Sequence, residues 1–200
     1  MQLTMDSGQK VTKPEVNDHY SFIDVVMPYE PGLRLAYAYN RAIQLSGAEW
    51  ILFLDHDLFI CNRHWYDMCL GAIAQAPDNC GWITAVTNRI GNKNQKAISR
   101  NGLEIPDTED LVEHCAFARA LYEDWGNRLV RCRGAMSGFF ILTRKTAWQA
   151  AGGFDENRKR LLGVDNIYSR DLGQAGYAFY KLPGLYFYHM YRKKKLYMGW

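Results

Sequence analysis

The stretch that decides the fold is ILFLDHDLFI, residues 51–60. With Trp50 ahead of it, the run WILFL has the unbroken apolar character of a strand buried on both faces. Asp55 and Asp57 then interrupt the run, one residue apart. A carboxylate in an apolar interior is costly unless it is paired, hydrogen-bonded or bound to a metal. Side chains at i and i+2 of a strand share a face, so Asp55 and Asp57 converge while His56 points away. With Asp57 just past the strand end, both acids sit at the carboxyl edge of the sheet, where open α/β sheets bind ligands. Two hard oxygen ligands there suit Mg²⁺ or Mn²⁺ and leave positions for water and substrate phosphates. A bare D-x-D is also read as two solvated acids in a turn. The apolar run before it favours the metal reading.

Outward from this strand, the chain alternates. SFIDVVMPY (21–29) reads as a strand ending at a proline. In PGLRLAYAYNRAIQLSGAEW, Leu35, Ala38, Ala42 and Leu45 recur at helical spacing and Gly47 marks the stop. RHWYDMCLGAIAQAP predicts a helix, and CGWITAVT (80–87) another buried strand. Strand, helix, strand, helix, strand predicts a mostly parallel sheet with helices on its faces, an α/β fold. NRIGNKNQKAISRNGLEIPD (88–107) is polar and too long for a plain connector, so it is read as a binding loop. TEDLVEHCAFARALYEDWG predicts a helix capped by Asp107 or Thr108. GAMSGFFILTRKTAWQAAGGFDE predicts a strand, a short helix and a glycine turn, with Gly152 and Gly153 at positive φ. GVDNIYSRDLGQAGY predicts a second short helix. AFYKLPGLYFYHMYR predicts two strand pieces around Pro183-Gly184.

At 200 residues and 48% hydrophobic, the chain suits one compact domain. Residues 1–20 read as a flexible arm, and 193–200 as a basic, aromatic tail. The net charge of +3 is too small to argue for nucleic acid, and none is expected as a partner. Cys61, Cys69, Cys80, Cys115 and Cys132 are odd in number and widely spaced, with no CxxC, so they are expected as reduced thiols in a cytoplasmic protein. The polar first twenty residues do not read as a signal peptide, and no run reaches the roughly 18 apolar residues of a membrane span. The basic tail leaves a peripheral membrane contact open.

The blocks together resemble family 2 glycosyltransferases. AYNRAIQLSGAEWILFLDHD is similar to the segment in which an Asn-bearing helix leads into that family's metal-binding D-x-D strand. SGFFILTRKTAWQAAGGFDE and GVDNIYSRDLGQAGYAFYKLPGLYFYH are similar to its acceptor-side half. The resemblance covers residues 22–192. It implies a GT-A-like, Rossmann-related domain over 21–192, with a donor and metal half (21–107) and an acceptor half (108–192). It also implies that Asp55 and Asp57 hold a divalent metal on the diphosphate of a nucleoside-diphosphate sugar, with His189 completing the site. Asp165 would be the catalytic base, and Ser137 and Gly138 would lie beside the donor sugar. One departure stands out. The family's second strand, whose Asp holds the uracil base, is absent before the Asn-bearing helix, where only PYEPG intervenes. Asp24 and Glu30 are the acids nearest to that lost position.

Each remaining candidate also has a plainer reading. Asp165 opens a helix, where an acid also serves as a dipole partner. His189 lies in LYFYHMY, where a histidine is otherwise a core residue. Asn40 is read as bracing the donor site, or as solvating a helix face. Arg89 approaches the phosphates, or is a free loop arginine. Trp65, Trp82, Trp125 and Trp148 read as core. The leading expectation is a metal-dependent inverting transferase of hexosyl or N-acetylhexosaminyl type. It would carry sugar from a nucleoside-diphosphate donor, UDP by the resemblance, to a hydroxyl on a glycan, lipid-linked glycan or protein. A non-catalytic glycan- or polyanion-binding module is the alternative. A nucleotidyltransferase is weaker, because no glycine-rich basic phosphate loop follows the first strand.

Overall fold

A computed structural model describes residues 23–157 and 163–190. The expected arm (1–20) and basic tail (193–200) lie outside the described residues. Trp50–Leu54 forms strand β2, with all five residues buried. Strand β1, Ile23–Val26, lies parallel to it, with Ile23 opposite Trp50. Their connection carries helix α1, Leu35–Leu45, which ends as Ser46 turns extended before Gly47. The buried side of α1 is Ala36, Ala38, Tyr39, Asn40 and Ile43, with Leu35 and Ala42 partly buried against the same cluster, whereas Leu45 is 68% exposed. The expected stripe is therefore kept at Leu35, Ala38 and Ala42 and lost at Leu45, and the larger Tyr39 and Ile43 take the centre of the core.

A short strand β3, Leu58–Ile60, follows the two acids directly, and helix α2, Trp65–Gln75, comes next. Strand β4, Cys80–Thr87, is buried along its whole length. The 88–107 segment contains a 3-10 turn at Lys93–Gln95 and bridges back to β4 through Lys96 and Thr87. Helix α3, Leu111–Trp125, is capped by the Asp110 carboxylate, which accepts from Val112 N, and not by Asp107 or Thr108. Thr108 instead accepts from Asp110 N, one step upstream. Strand β5 (Val130–Cys132), strand β6 (Phe140–Arg144) and helices α4 (Lys145–Ala150) and α5 (Val164–Gln174) lead to strand β7, Ala178–His189.

The sheet order is β1-β2-β6-β4-β7-β3, with β5 also paired to β7. β1, β2, β4 and β7 run one way, as the alternating pattern predicts. β6, β3 and β5 run against them. The two pieces expected around Pro183-Gly184 are one strand that pairs with β4 on both sides of an irregularity. At that irregularity, a methyl on Gly184 would sit 2.3 Å from the Gly126 carbonyl oxygen, so only glycine fits.

Alternate residues of β2 feed opposite cores. Trp50, Leu52 and Leu54 pack with α2 through Met68, Cys69 and Ala72. Ile51 and Phe53 pack with α1 and α5 through Tyr39, Ile43, Val164 and Tyr168. Each fully buried side chain of this size contributes roughly 1.5–3 kcal/mol. The same alternation places Asp55 on the α1 and α5 side. A third cluster joins α3 to Tyr186 and Tyr188 of β7. Among the described residues no helix is long and apolar enough to cross a membrane.

Candidate functional site

β2 ends at Leu54, so Asp55 and Asp57 both lie just beyond its carboxyl end. The turn between β2 and β3 is held from two sides. Asp55 N donates to the Phe139 carbonyl (3.0 Å), and Met190 N donates to the Asp57 carbonyl (3.1 Å). β3 then pairs with the end of β7, with Leu58 opposite His189. This pairing is what brings a residue 132 positions downstream of Asp57 back to it. Asp55, Asp57 and His189 each offer a ligand atom, and these atoms lie within 4.8 Å of one another.

His189 is 3% exposed, and its ring stacks on Phe139 at 5.8 Å. Its Nδ1 lies 3.1 Å from the Arg89 carbonyl oxygen. Its Nε2 lies 3.2 Å from Asp57 Oδ1 and 4.0 Å from Asp55 Oδ2. Burial pushes the imidazole below its ordinary pKa, against the opposing pull of the Asp57 charge. Nδ1 faces the Arg89 carbonyl and Nε2 faces the Asp57 carboxylate, so the neutral ring's one N–H serves one of these two acceptors. Burial, and then the charge of Asp57, push Asp55 up to about 7. One imidazole and two carboxylates this close form a donor set that fits a divalent cation.

A cleft of about 250 Å³ opens beside this cluster. Its walls include Asp55, His189, Tyr39, Ser137, Gly138 and Asp165. Asp165 comes from the first turn of α5, which starts at a left-handed Gly163. Gly138 N donates to Asp165 Oδ2 (2.9 Å), and Asn166 N donates to Oδ1 (2.8 Å). A methyl on Gly138 would stand 3.0 Å from Asp165 Cβ, so glycine lets the strand entrance lie against the acid. Tyr39 stacks on Phe154 at 4.5 Å. Burial, then the nearby Asp55 and Asp165 charges, raise its phenol well above the ordinary range, so it stays protonated.

The sequence therefore selects residues that the fold does bring together: Asp55, Asp57, His189, Asp165, Ser137 and Gly138. It also selects Asn40 and Arg89, which, like Asp57, are not among the residues lining this cleft. Asn40 is buried, and its four hydrogen-bonding positions are used elsewhere. Its Nδ2 donates to the Phe154 carbonyl (2.8 Å) and Glu156 Oε1 (2.7 Å), and its Oδ1 accepts from Trp148 Nε1 (2.9 Å) and Phe154 N (2.8 Å). Asn40 is thus the clamp of the Gly152-Gly153 turn, whose glycines take φ of 77° and 82°. The Arg89 side chain faces Asp107 at 3.8 Å and is half-exposed. Its contribution to the cleft is the carbonyl that orients His189. Asp24 is hydrogen-bonded to the Ser46 hydroxyl, and Glu30 is paired with Arg34 at 2.8 Å, so neither faces the cleft.

Two further residues hold the cleft walls in place. Gln95 is fully buried. Its Oε1 accepts from Ser137 N (2.7 Å), and its Nε2 donates to the Ser137 carbonyl and to Thr84 Oγ1, both at 2.9 Å. Asn88 Oδ1 accepts from His189 N (2.8 Å). Both sit in the 88–107 segment, whose polar, asparagine-rich composition is the signal that marks them.

The fold and site define the class: an α/β domain with a mixed sheet flanked by helices, carrying an acidic and histidine cluster at the carboxyl edge of its parallel strands. No family model matches the chain, and no curated protein matches it. Among solved structures the chain is similar to the mannosyltransferase PcManGT from Pyrobaculum calidifontis, solved in complex with GDP-Man and Mn²⁺. The TM-score is 0.47 and the identity 16%, over 80% of this chain and 37% of that one.

Proposed function

We propose that the protein is a metal-dependent glycosyltransferase that takes a nucleoside-diphosphate sugar and transfers the sugar, with inversion, to a hydroxyl acceptor. The observation that carries this reading is the convergence of Asp55, Asp57 and His189 beside a cleft lined by Asp55, His189 and Asp165. A divalent ion held by Asp55, Asp57 and His189 would act as a Lewis acid that stabilises the departing diphosphate. Asp165 supplies the other half of the chemistry. Gly138 N fixes one carboxylate oxygen, and the side chain accepts the acceptor's hydroxyl proton as the hydroxyl oxygen bonds the anomeric carbon. The bond from that carbon to the diphosphate breaks on the opposite side, so the configuration inverts. Ser137 and Gly138 border the sugar's place, and Tyr39, kept protonated, is a donor in the same wall. UDP is the proposed nucleotide, on the sequence resemblance alone. Glycans, lipid-linked glycans and proteins are the acceptor classes.

A thermal-shift titration tests the reading, since a ligand that binds only the folded state raises its stability. UDP, GDP and CDP are added with and without Mn²⁺ to the wild type and to Asp57→Asn. The expected result is an Mn²⁺-dependent shift with one nucleotide that disappears in Asp57→Asn. Equal shifts with and without Mn²⁺, or none with any nucleotide, would overturn it. Release of pyrophosphate from a nucleoside triphosphate would replace it with nucleotidyl transfer.

A further inference from the structure

A second and larger cavity, about 680 Å³, opens between the loop after β3, the start of α2 and one face of α3. It shares no lining residue with the cleft that holds Asp55 and Asp165. Its volume lies in the range of sites that take one small organic molecule. Its chemistry divides into two parts. Ile60, Trp65, Met68 and Tyr122 give it apolar walls, with Ile60 47% and Tyr122 43% exposed. Arg63 and Arg119 give it positive charge. No acid lines it among the described residues, and neither arginine has an ion pair or hydrogen bond there. His64 also lines it, but its Nδ1 lies 3.7 Å from Asp67 Oδ2, so it adds little free positive charge.

Two arginines among the lining residues of a cavity with no acid among its described lining residues favour an anion. Guanidinium forks match the oxygens of phosphates and carboxylates. The apolar walls between them select a ligand with a hydrocarbon body. We infer that this pocket is a second binding site, for a single amphiphilic phosphomonoester whose phosphate meets Arg63 and Arg119 and whose chain lies against Trp65, Met68 and Tyr122. The inference stands on this pocket alone and is independent of the reaction assigned to the cleft.

The pocket carries its own reporter. Of the five cysteines, Cys115 is half-buried and lines it, whereas Cys69, Cys80 and Cys132 are buried elsewhere. Cys61 also lines it beside Cys115 but is buried, and burial pushes its thiol up. Maleimide labelling of Cys115, with the adduct located by peptide mass, therefore reads occupancy directly. The probe is octyl phosphate as free monomer, compared with octanol, inorganic phosphate, octyltrimethylammonium and phosphatidic-acid vesicles.

Octyl phosphate is expected to slow Cys115 labelling at concentrations where octanol and inorganic phosphate do not. Arg63→Gln and Arg119→Gln are each expected to weaken that protection about tenfold, the scale of one charge-assisted hydrogen bond. Both arginines are exposed, so these variants retain the core, and unchanged Cys115 labelling without ligand checks that the pocket is intact. Equal protection by octanol or by octyltrimethylammonium would overturn the anion assignment. Equal protection by inorganic phosphate would overturn the apolar half. Protection by vesicles and not by monomer would make this a membrane-facing surface. Slow labelling of the free protein, relieved by deleting residues 1–20, would give the pocket to the chain's own N-terminal segment. Protection unchanged in both arginine variants would also sink the proposal.

Discussion

The two acidic corners of the cleft solve the same physical problem in opposite ways. Asp165 carries its charge on local donors: two backbone amides, Gly138 N and Asn166 N, point at its oxygens. Asp55 and Asp57 have the His189 imidazole and each other, and burial, then the Asp57 charge, push Asp55 up to about 7. On the proposed reading, the first corner serves proton transfer and the second is completed by a cation. A group that must gain and lose a proton is stabilised by donors that stay in place, and a ligand pair is left facing acceptors.

The sharpest break separates the corners by substitution. Asp57→Asn is expected to reduce Mn²⁺-dependent transfer by about 10³-fold, the scale of losing a metal's charge stabilisation, together with Mn²⁺ binding. Asp165→Asn is expected to reduce transfer by about 10²–10⁴-fold while leaving Mn²⁺ and nucleotide binding intact. Steady-state rates and Mn²⁺ titrations on the two variants read this directly. Loss of Mn²⁺ binding in Asp165→Asn would merge the corners.

Asn40→Ala probes the frame instead of either corner. It leaves the part-buried Trp148 Nε1 and the buried Phe154 N without their acceptor, and should lower stability by about 2–4 kcal/mol. Urea unfolding measures this. Mn²⁺ affinity of the folded fraction should stay at the wild-type level, and a parallel fall in that affinity would place Asn40 in the site after all.

The pH dependence of Mn²⁺ affinity sharpens the contrast. With Asp55 pushed up to about 7, a proton competes with the metal below that pH. Affinity should climb about tenfold per pH unit toward pH 7 and level off above it. His189, pushed below its ordinary pKa, adds its own proton competition only at lower pH. Calorimetry at several pH values tests this, and a flat profile from pH 5 to 8 would show that Asp55 is not the pH-limiting ligand. The smallest effect belongs to Gly138→Ala. Its methyl would press on Asp165 Cβ at 3.0 Å and shift the base by a few tenths of an ångström. Transfer should fall about tenfold, since small misplacements at a reacting centre are costly. Mn²⁺ binding should not change.

Much of this arrangement is legible in the sequence because its signals are local. WILFL marks a strand buried on both faces, and the acids that follow it fall where the strand must end. Asn40 is legible only as a polar residue on a helix. Its partners lie 108 to 116 positions away, and no spacing rule reaches them. β3 and β5 are three residues each, too short for a periodic pattern, and gain their pairing from β7. The single strand through Pro183-Gly184 was hidden for a similar reason: a turn dipeptide reads as an end, whereas the neighbouring Gly126 carbonyl makes it a close approach. The Leu45 position shows how a stripe read from spacing holds over most of a helix and is lost at its end, where Leu45 is exposed.

The 88–107 segment is anchored unevenly. Its first part is tied down by Asn88, Gln95 and the Lys96 bridge, and residues 98–101 are fixed to the end of α3 through Asp124 and Trp125. Gly102, Leu103 and Glu104 are exposed, whereas Ile105 packs on the third cluster, Asp107 faces Arg89 and the Thr108 carbonyl meets His114 Nε2. That makes 102–104 a natural splice point. Lengthening a loop costs only about 0.6 kcal/mol per doubling. A recognition sequence, a fluorophore tag or a tether to a surface inserted there would leave both corners of the cleft undisturbed.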